Sequence, residues 1–184
     1  MTQCRIRGRT RVGEGSTATG TMACMTLPTA LDFPESQQAP GTHGAAFQPC
    51  ARLADLPLGS MLRVTRGDLD VLIAHTEAGL VATDDRCPHM SAPLSVGSLD
   101  GCIVHCPLHR GAFDLRDGHT IVFPTTGGLD AEGTYHPTWA PPGAPPKPEP
   151  SDAKSRARAL TRVRLLRYYP LRVRDDVIEV ALPT

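Results

Sequence analysis

From residue 56 onward the chain carries short apolar-rich runs separated by glycine turns. Leu56-Pro57-Leu58-Gly59 reads as a turn leading into a first strand, Met61 to Val64, whose alternation is that of a half-buried strand. Arg66-Gly67-Asp68 turns the chain into a second strand, Val71 to His75. Glu77-Ala78-Gly79 turns it into a third, Leu80 to Thr83. Leu99 to Cys106 reads as a returning hairpin arm, and Phe113 to Leu115 and Ile121 to Phe123 continue the sheet. Near the end, Tyr169 to Val173 and Val177 to Val180 face each other across Asp175-Asp176 as a closing hairpin. Val163 and Leu165 alternate with arginines, as in an edge strand guarded by charge. Short strands at close spacing predict an all-β, antiparallel domain.

Two stretches break this rhythm. Residues 1–47, rich in Thr, Gly, Ala, Gln and Pro, carry no sustained periodicity and read as a disordered or loosely attached extension. Residues from about 124 to 160 include Trp139-Ala-Pro-Pro-Gly-Ala-Pro-Pro-Lys-Pro-Glu-Pro150, a proline density that resists regular structure. This second stretch reads as a surface insertion, tacked down by Trp139 and Tyr135. The 184 residues hold 17 glycines and 18 prolines, which suits a loop-rich β domain of about 48–184 with irregular additions. Formal net charge is zero, so global charge points to no nucleic-acid partner. No apolar run is long enough for a membrane span, and the N-terminal arginines are followed by no secretory h-region. Eight basic residues between Lys154 and Arg174 would decorate a solvent-facing strand or steer an acidic redox partner.

The chemistry concentrates between Cys87 and Gly118. Two boxes, Cys87-Pro88-His89 and Cys106-Pro107-Leu108-His109, each offer one thiolate and one imidazole, with sixteen residues between His89 and Cys106. Four cysteine and histidine ligands also make a structural zinc site, but zinc modules usually pair like residues, as in C-x2-C with H-x3-H. Mixed boxes argue for a different metal centre. Cys4, Cys24, Cys50 and Cys102 are scattered in no disulfide framework, and Cys102, in the run Cys102-Ile103-Val104, reads as a small core residue. His75 is expected at a strand end on the surface. His105 is expected on the face of its strand opposite to Cys106. His119 lies past a turn without an evident role.

The stretch resembles the Rieske [2Fe-2S] family. Beyond the two proline-bearing boxes, the resemblance rests on Leu94, Ser95 and Gly97, on Gly101, and on Gly111, Phe113, Asp114 and Asp117-Gly118. Arg110 departs from it, standing where the family usually has glycine, so Gly111 is expected to take over the tight turn. The resemblance implies a Rieske-type fold, with a small cluster-binding subdomain (86–118) inserted into a larger antiparallel base. It also implies one [2Fe-2S] cluster per chain, with Cys87 and Cys106 on the buried iron and His89 and His109 on the outer iron, nearer solvent. Respiratory and photosynthetic members add a cysteine to each loop, joined as a disulfide. The matching residues here are Ala92 and Leu108, which places the chain with the soluble ferredoxins of a reducing, cytoplasmic compartment.

That branch implies a one-electron carrier between a reductase and a terminal oxygenase. Two other readings are an accessory iron–sulfur subunit of an oxidoreductase, as in nitrite-reductase-type systems, and a cluster-dependent redox-sensing module. Rieske oxygenases add a catalytic domain, and roughly 65 residues follow Gly118, so self-sufficient oxygenation is not expected. High-potential members place serine and tyrosine hydroxyls where Gly111 and Phe113 stand. The resemblance therefore predicts a potential at the low end of the Rieske range, near about −150 mV. Protein-film voltammetry giving a value above about +100 mV would contradict it. Reduction should also raise the imidazole pKa values, so the potential should fall with pH only above the oxidised-state pKa.

Overall fold

A computed structural model describes residues 28–183. The chain order is β1 (Phe47–Arg52), β2 (Met61–Arg66), β3 (Leu69–Thr76), β4 (Gly79–Asp84), β5 (Ser98–Asp100), β6 (Ile103–His105), β7 (Ala112–Asp114), β8 (Thr120–Val122), β9 (Gly128–Leu129), β10 (Tyr135–His136), α1 (Ala153–Ala159), β11 (Leu171–Arg174) and β12 (Val177–Ala181). The base consists of a β2-β3-β4 meander and a β1-β12-β11 sheet, all antiparallel. A separate four-stranded sheet, β5-β6-β7-β8, follows the first cysteine–histidine box and frames the second.

The central strand explains how these parts hold together. Val71-Leu72-Ile73-Ala74 in β3 is buried without interruption. Successive side chains of a strand point to opposite faces, so a continuous apolar run requires cover on both. Val71 and Ile73 face a core shared with Leu56, Val64, Leu80, Tyr169, Ile178 and Val180 from the base sheets. Leu72 and Ala74 face a second core with Val81, Leu94, Val104, Phe113, Leu115 and both box cysteines. One strand thus fixes the base to the loops that carry Cys87 and Cys106.

The closing hairpin turns through two residues, Asp175 and Asp176, with φ of 49° and 62°. This is the positive-φ pair of a type I′ turn, which aspartate tolerates better than most side chains. Three local expectations fail. Val163 and Leu165 are not in a strand. The preceding Ala153–Ala159 is helical, capped where Asp152 Oδ1 accepts the Ser155 N–H at 2.9 Å, and a single bridge, Leu129 to Arg162, follows. Cys102 is half-buried on the turn between β5 and β6, because the apolar strand begins one residue later. His75 is half-buried, with Nδ1 2.9 Å from the Leu56 carbonyl.

Residues 1–27 of the expected extension lie outside the described residues. Residues 28–46 pack on the domain. Ala30 bridges Leu80, the Ala39 N–H donates to the Tyr168 carbonyl at 2.7 Å, and Phe33 stacks on Tyr168 with ring centroids 3.5 Å apart. A stacked aromatic contributes beyond its buried area. Phe33→Ala, truncating a half-buried ring, should therefore destabilise the fold by about 1–2 kcal/mol in urea unfolding. An unchanged midpoint would show that this segment does not support the core.

Candidate metal-cluster site

The two boxes fold into matching loops. In the first, the Cys87 N–H donates to the Ala92 carbonyl at 2.7 Å. In the second, the Cys106 N–H donates to the Gly111 carbonyl at 2.8 Å. Each bond spans five residues. Each loop is turned by a non-glycine residue in the left-handed region, four positions after the cysteine: Ser91 at φ 57° and Arg110 at φ 56°. The expected substitution of Gly111 for the missing glycine does not occur, since Arg110 takes the positive φ itself. Gly111 is instead needed for space, because a Cβ there would lie 3.1 Å from the Phe113 ring. A non-glycine residue in this conformation costs of order 1–2 kcal/mol and persists only where its surroundings enforce it.

The loops place their donors in pairs. Cys87 and Cys106 are both buried. The adjacent Cys106 thiol, and then burial, raises the Cys87 pKa, while the Cys87 thiol lowers that of Cys106. The His89 and Met90 N–H groups point at the first sulfur, and those of Leu108 and His109 at the second. Each loop is thus a small cradle for a thiolate. The two imidazoles meet edge-on, with centroids 5.0 Å apart. Burial, and then the positive charge of His109, lowers His89 to about 4. Burial, and then Lys147, lowers His109. Both rings are neutral at pH 7, the form that binds metal.

Solvent access differs from expectation. His89 is 6% exposed, scarcely more than Cys87 and Cys106, and only His109 is half-exposed. The residues from 124 onward provide the cover. Thr126 Oγ1 lies 3.3 Å from His89 Nε2, and the Thr125 N–H donates to the His109 carbonyl at 2.8 Å. Lys147 Nζ reaches Thr125 Oγ1 at 2.6 Å, and the Trp139 indole donates to the Phe123 carbonyl at 2.7 Å. Trp139 tacks the insertion down as expected, onto the chain just after β8. Tyr135 hydrogen-bonds within the insertion, to Glu149. Sequence reading missed Thr125, Thr126 and Lys147, because nothing local to them signals contact with a loop so far away in the chain.

Aspartates brace both loops. Asp85, whose side chain is fully buried, accepts from the Ser95 N–H at 2.7 Å and hydroxyl at 2.6 Å, and lies 3.3 Å from Arg63 Nε. A buried carboxylate needs such partners. Asp114 is forked by Arg116 Nε and Nη2 after the second loop.

These residues fit an iron–sulfur cluster. His89 Nδ1 is buried with no hydrogen-bond partner, as a nitrogen reserved for a metal would be. The cysteine pair and histidine pair match the two-and-two donor set of a Rieske centre.

The comparisons with known proteins agree. The Rieske [2Fe-2S] domain model matches residues 46–133. The ferredoxin component of the naphthalene 1,2-dioxygenase system of Pseudomonas putida is 38% identical over 74 residues, 40% of this chain and 71% of the relative. The 3-phenylpropionate/cinnamic acid dioxygenase ferredoxin subunit of Escherichia coli O139:H28 is 39% identical over 77 residues, 40% of this chain and 70% of that one. The solved ferredoxin of carbazole 1,9a-dioxygenase from Nocardioides aromaticivorans IC177 is similar in fold, with a TM-score of 0.50 at 20% identity, over 76% of this chain and all of the other. The chain belongs to the Rieske [2Fe-2S] family and carries one [2Fe-2S] cluster.

The Asp114–Arg116 pair sets a pH test. The guanidinium beside it, opposed by burial, lowers the Asp114 pKa below that of the unfolded chain. Its stabilisation is therefore present above the unfolded aspartate pKa, about 3.9, and is lost as pH falls through the folded value. Arg116→Gln should lower the melting temperature at neutral pH, and the gap from the parent should close near about pH 2. A gap of equal size at both pH values would show that the ion pair is not its cause.

Proposed function

We infer that the chain is a one-electron carrier whose cluster is held by Cys87 and Cys106 on one iron and by His89 and His109 on the other. The observation that carries this reading is the pair-on-pair arrangement of the four side chains in two matched loops. When bound, the cluster accepts and returns one electron, at a potential raised by its two neutral imidazoles. The residues of the chain do the rest. Backbone N–H groups of both loops offset the thiolate charge. Thr126 is positioned to accept the Nε2 proton of His89, which would fix that ring's orientation. The second core keeps water from the cysteines, and half-exposed His109 is left as the edge through which an electron would leave.

The relatives are ferredoxin components of dioxygenase systems. By that likeness the donor would be a reductase and the acceptor a terminal oxygenase. We place the protein in the cytoplasm. Ala92 and Leu108 occupy the positions of the disulfide of other branches, and no helix among the described residues is long and apolar enough to cross a membrane.

Alanine variants of the six candidate cysteines and histidines separate ligands from bystanders. Cys87→Ala, Cys106→Ala, His89→Ala and His109→Ala should each lose nearly all cluster iron and the visible absorption. Cys50→Ala and Cys102→Ala should retain both. Retention of the cluster by either histidine variant, or its loss in Cys102→Ala, would overturn the ligand assignment.

A further inference from the structure

The chain has no net charge, yet the surface around the ligand loops is basic. Arg86 precedes Cys87 and Arg110 follows His109, and both are exposed. Arg164 and Arg167 are exposed beside the first loop, where the Arg164 N–H approaches the Pro88 carbonyl at 3.5 Å. With Arg86 they line a groove of about 410 Å³ that reaches Cys87 and Pro88. On the other side, Lys147 is held over the second loop through Thr125, which is itself bonded to His109. None of these five cations forms an ion pair with a described residue.

Three of the neighbouring acids are already engaged, while Asp68 beside Arg86 and Asp100 beside Arg110 form no ion pair among the described residues. Asp84, on the groove wall, accepts the Tyr169 hydroxyl. Asp85 is buried among Ser95 and Arg63. Glu149 accepts from Tyr135 and Thr138. Between the two groups of cations, Met90 and Leu108 project from the loop tips at 48% and 57% exposure. An apolar centre within a charged rim is the anatomy of a protein-binding face. The cations came from parts of the chain that sequence reading treated separately: the insertion, the basic stretch after it and the loops themselves.

Resting on the electron-carrier reading above, we propose that this basic rim, formed by Arg86, Arg110, Lys147, Arg164 and Arg167 around Met90 and Leu108, is the docking face for a redox partner protein with an acidic surface. Charges of one sign around an electron-exchange edge raise the encounter rate with oppositely charged partners, and salt removes the effect beyond about 8 Å at physiological ionic strength. The rim would therefore act on association rate and partner choice.

Two small oxidants of opposite charge test this on the intact, reduced holoprotein in stopped flow. Oxidation by anionic hexacyanoferrate(III) should slow roughly tenfold as ionic strength rises from low to physiological or above, while oxidation by cationic hexaammineruthenium(III) should quicken. Arg164→Glu with Arg167→Glu, or Lys147→Glu alone, should flatten the hexacyanoferrate slope, with an unchanged electron paramagnetic resonance spectrum showing that the cluster is intact. Arg174→Glu, on β11, should keep the parent slope. Poly-L-glutamate should compete with hexacyanoferrate, and duplex DNA should compete less. Equal salt responses for the two oxidants, or stronger competition by DNA, would overturn the docking proposal alone. A reduced protein oxidised by neither would instead overturn the electron-carrier reading.

Discussion

The structure depends on holding four candidate metal ligands close together while satisfying the backbone that carries them. Cys87 and Cys106 sit at the floor of two loops closed by the same bond, from the cysteine N–H to the carbonyl five residues on. That closure aims two further N–H groups at each sulfur and forces Ser91 and Arg110 into the left-handed region. The strain is sustained because the loops are anchored in the second core, under β3 and β4. Base and site are thus one packing problem. Leu72 and Ala74 point at the loops from the strand whose Val71 and Ile73 build the base.

The insertion changes what such a site presents to solvent. A bare pair of loops would leave both imidazoles at the surface. Here Thr125 and Thr126 close over them, so that His89 is buried and His109 forms the remaining open edge. His109 is the more exposed of the two candidate imidazole ligands.

Much of this was legible in the sequence. The meander of β2, β3 and β4 follows from short apolar runs and glycine turns, and the closing hairpin from Asp175-Asp176. The four candidate ligands follow from two mixed boxes, whose residue types declare their chemistry without reference to the fold. Long-range contact was not legible. β1, with proline at its centre and cysteine beside it, shows no alternation and becomes a strand only because β12 offers it an edge. Phe33 and Ala39 look like parts of a tail until Tyr168, distant in sequence, supplies the partner. The helix after Asp152 lay within the stretch read as an irregular insertion. The threonines over the histidines carry no motif, and their role exists only in the folded chain.

The central claim is that these paired cysteines and histidines carry a Rieske cluster and move single electrons. Electron paramagnetic resonance of anaerobically purified protein, before and after dithionite, with iron and zinc analysis of the same sample, tests it most directly. The account predicts two irons per chain and a rhombic signal on reduction, with an average g clearly below the free-electron value. A silent sample holding stoichiometric zinc would contradict it.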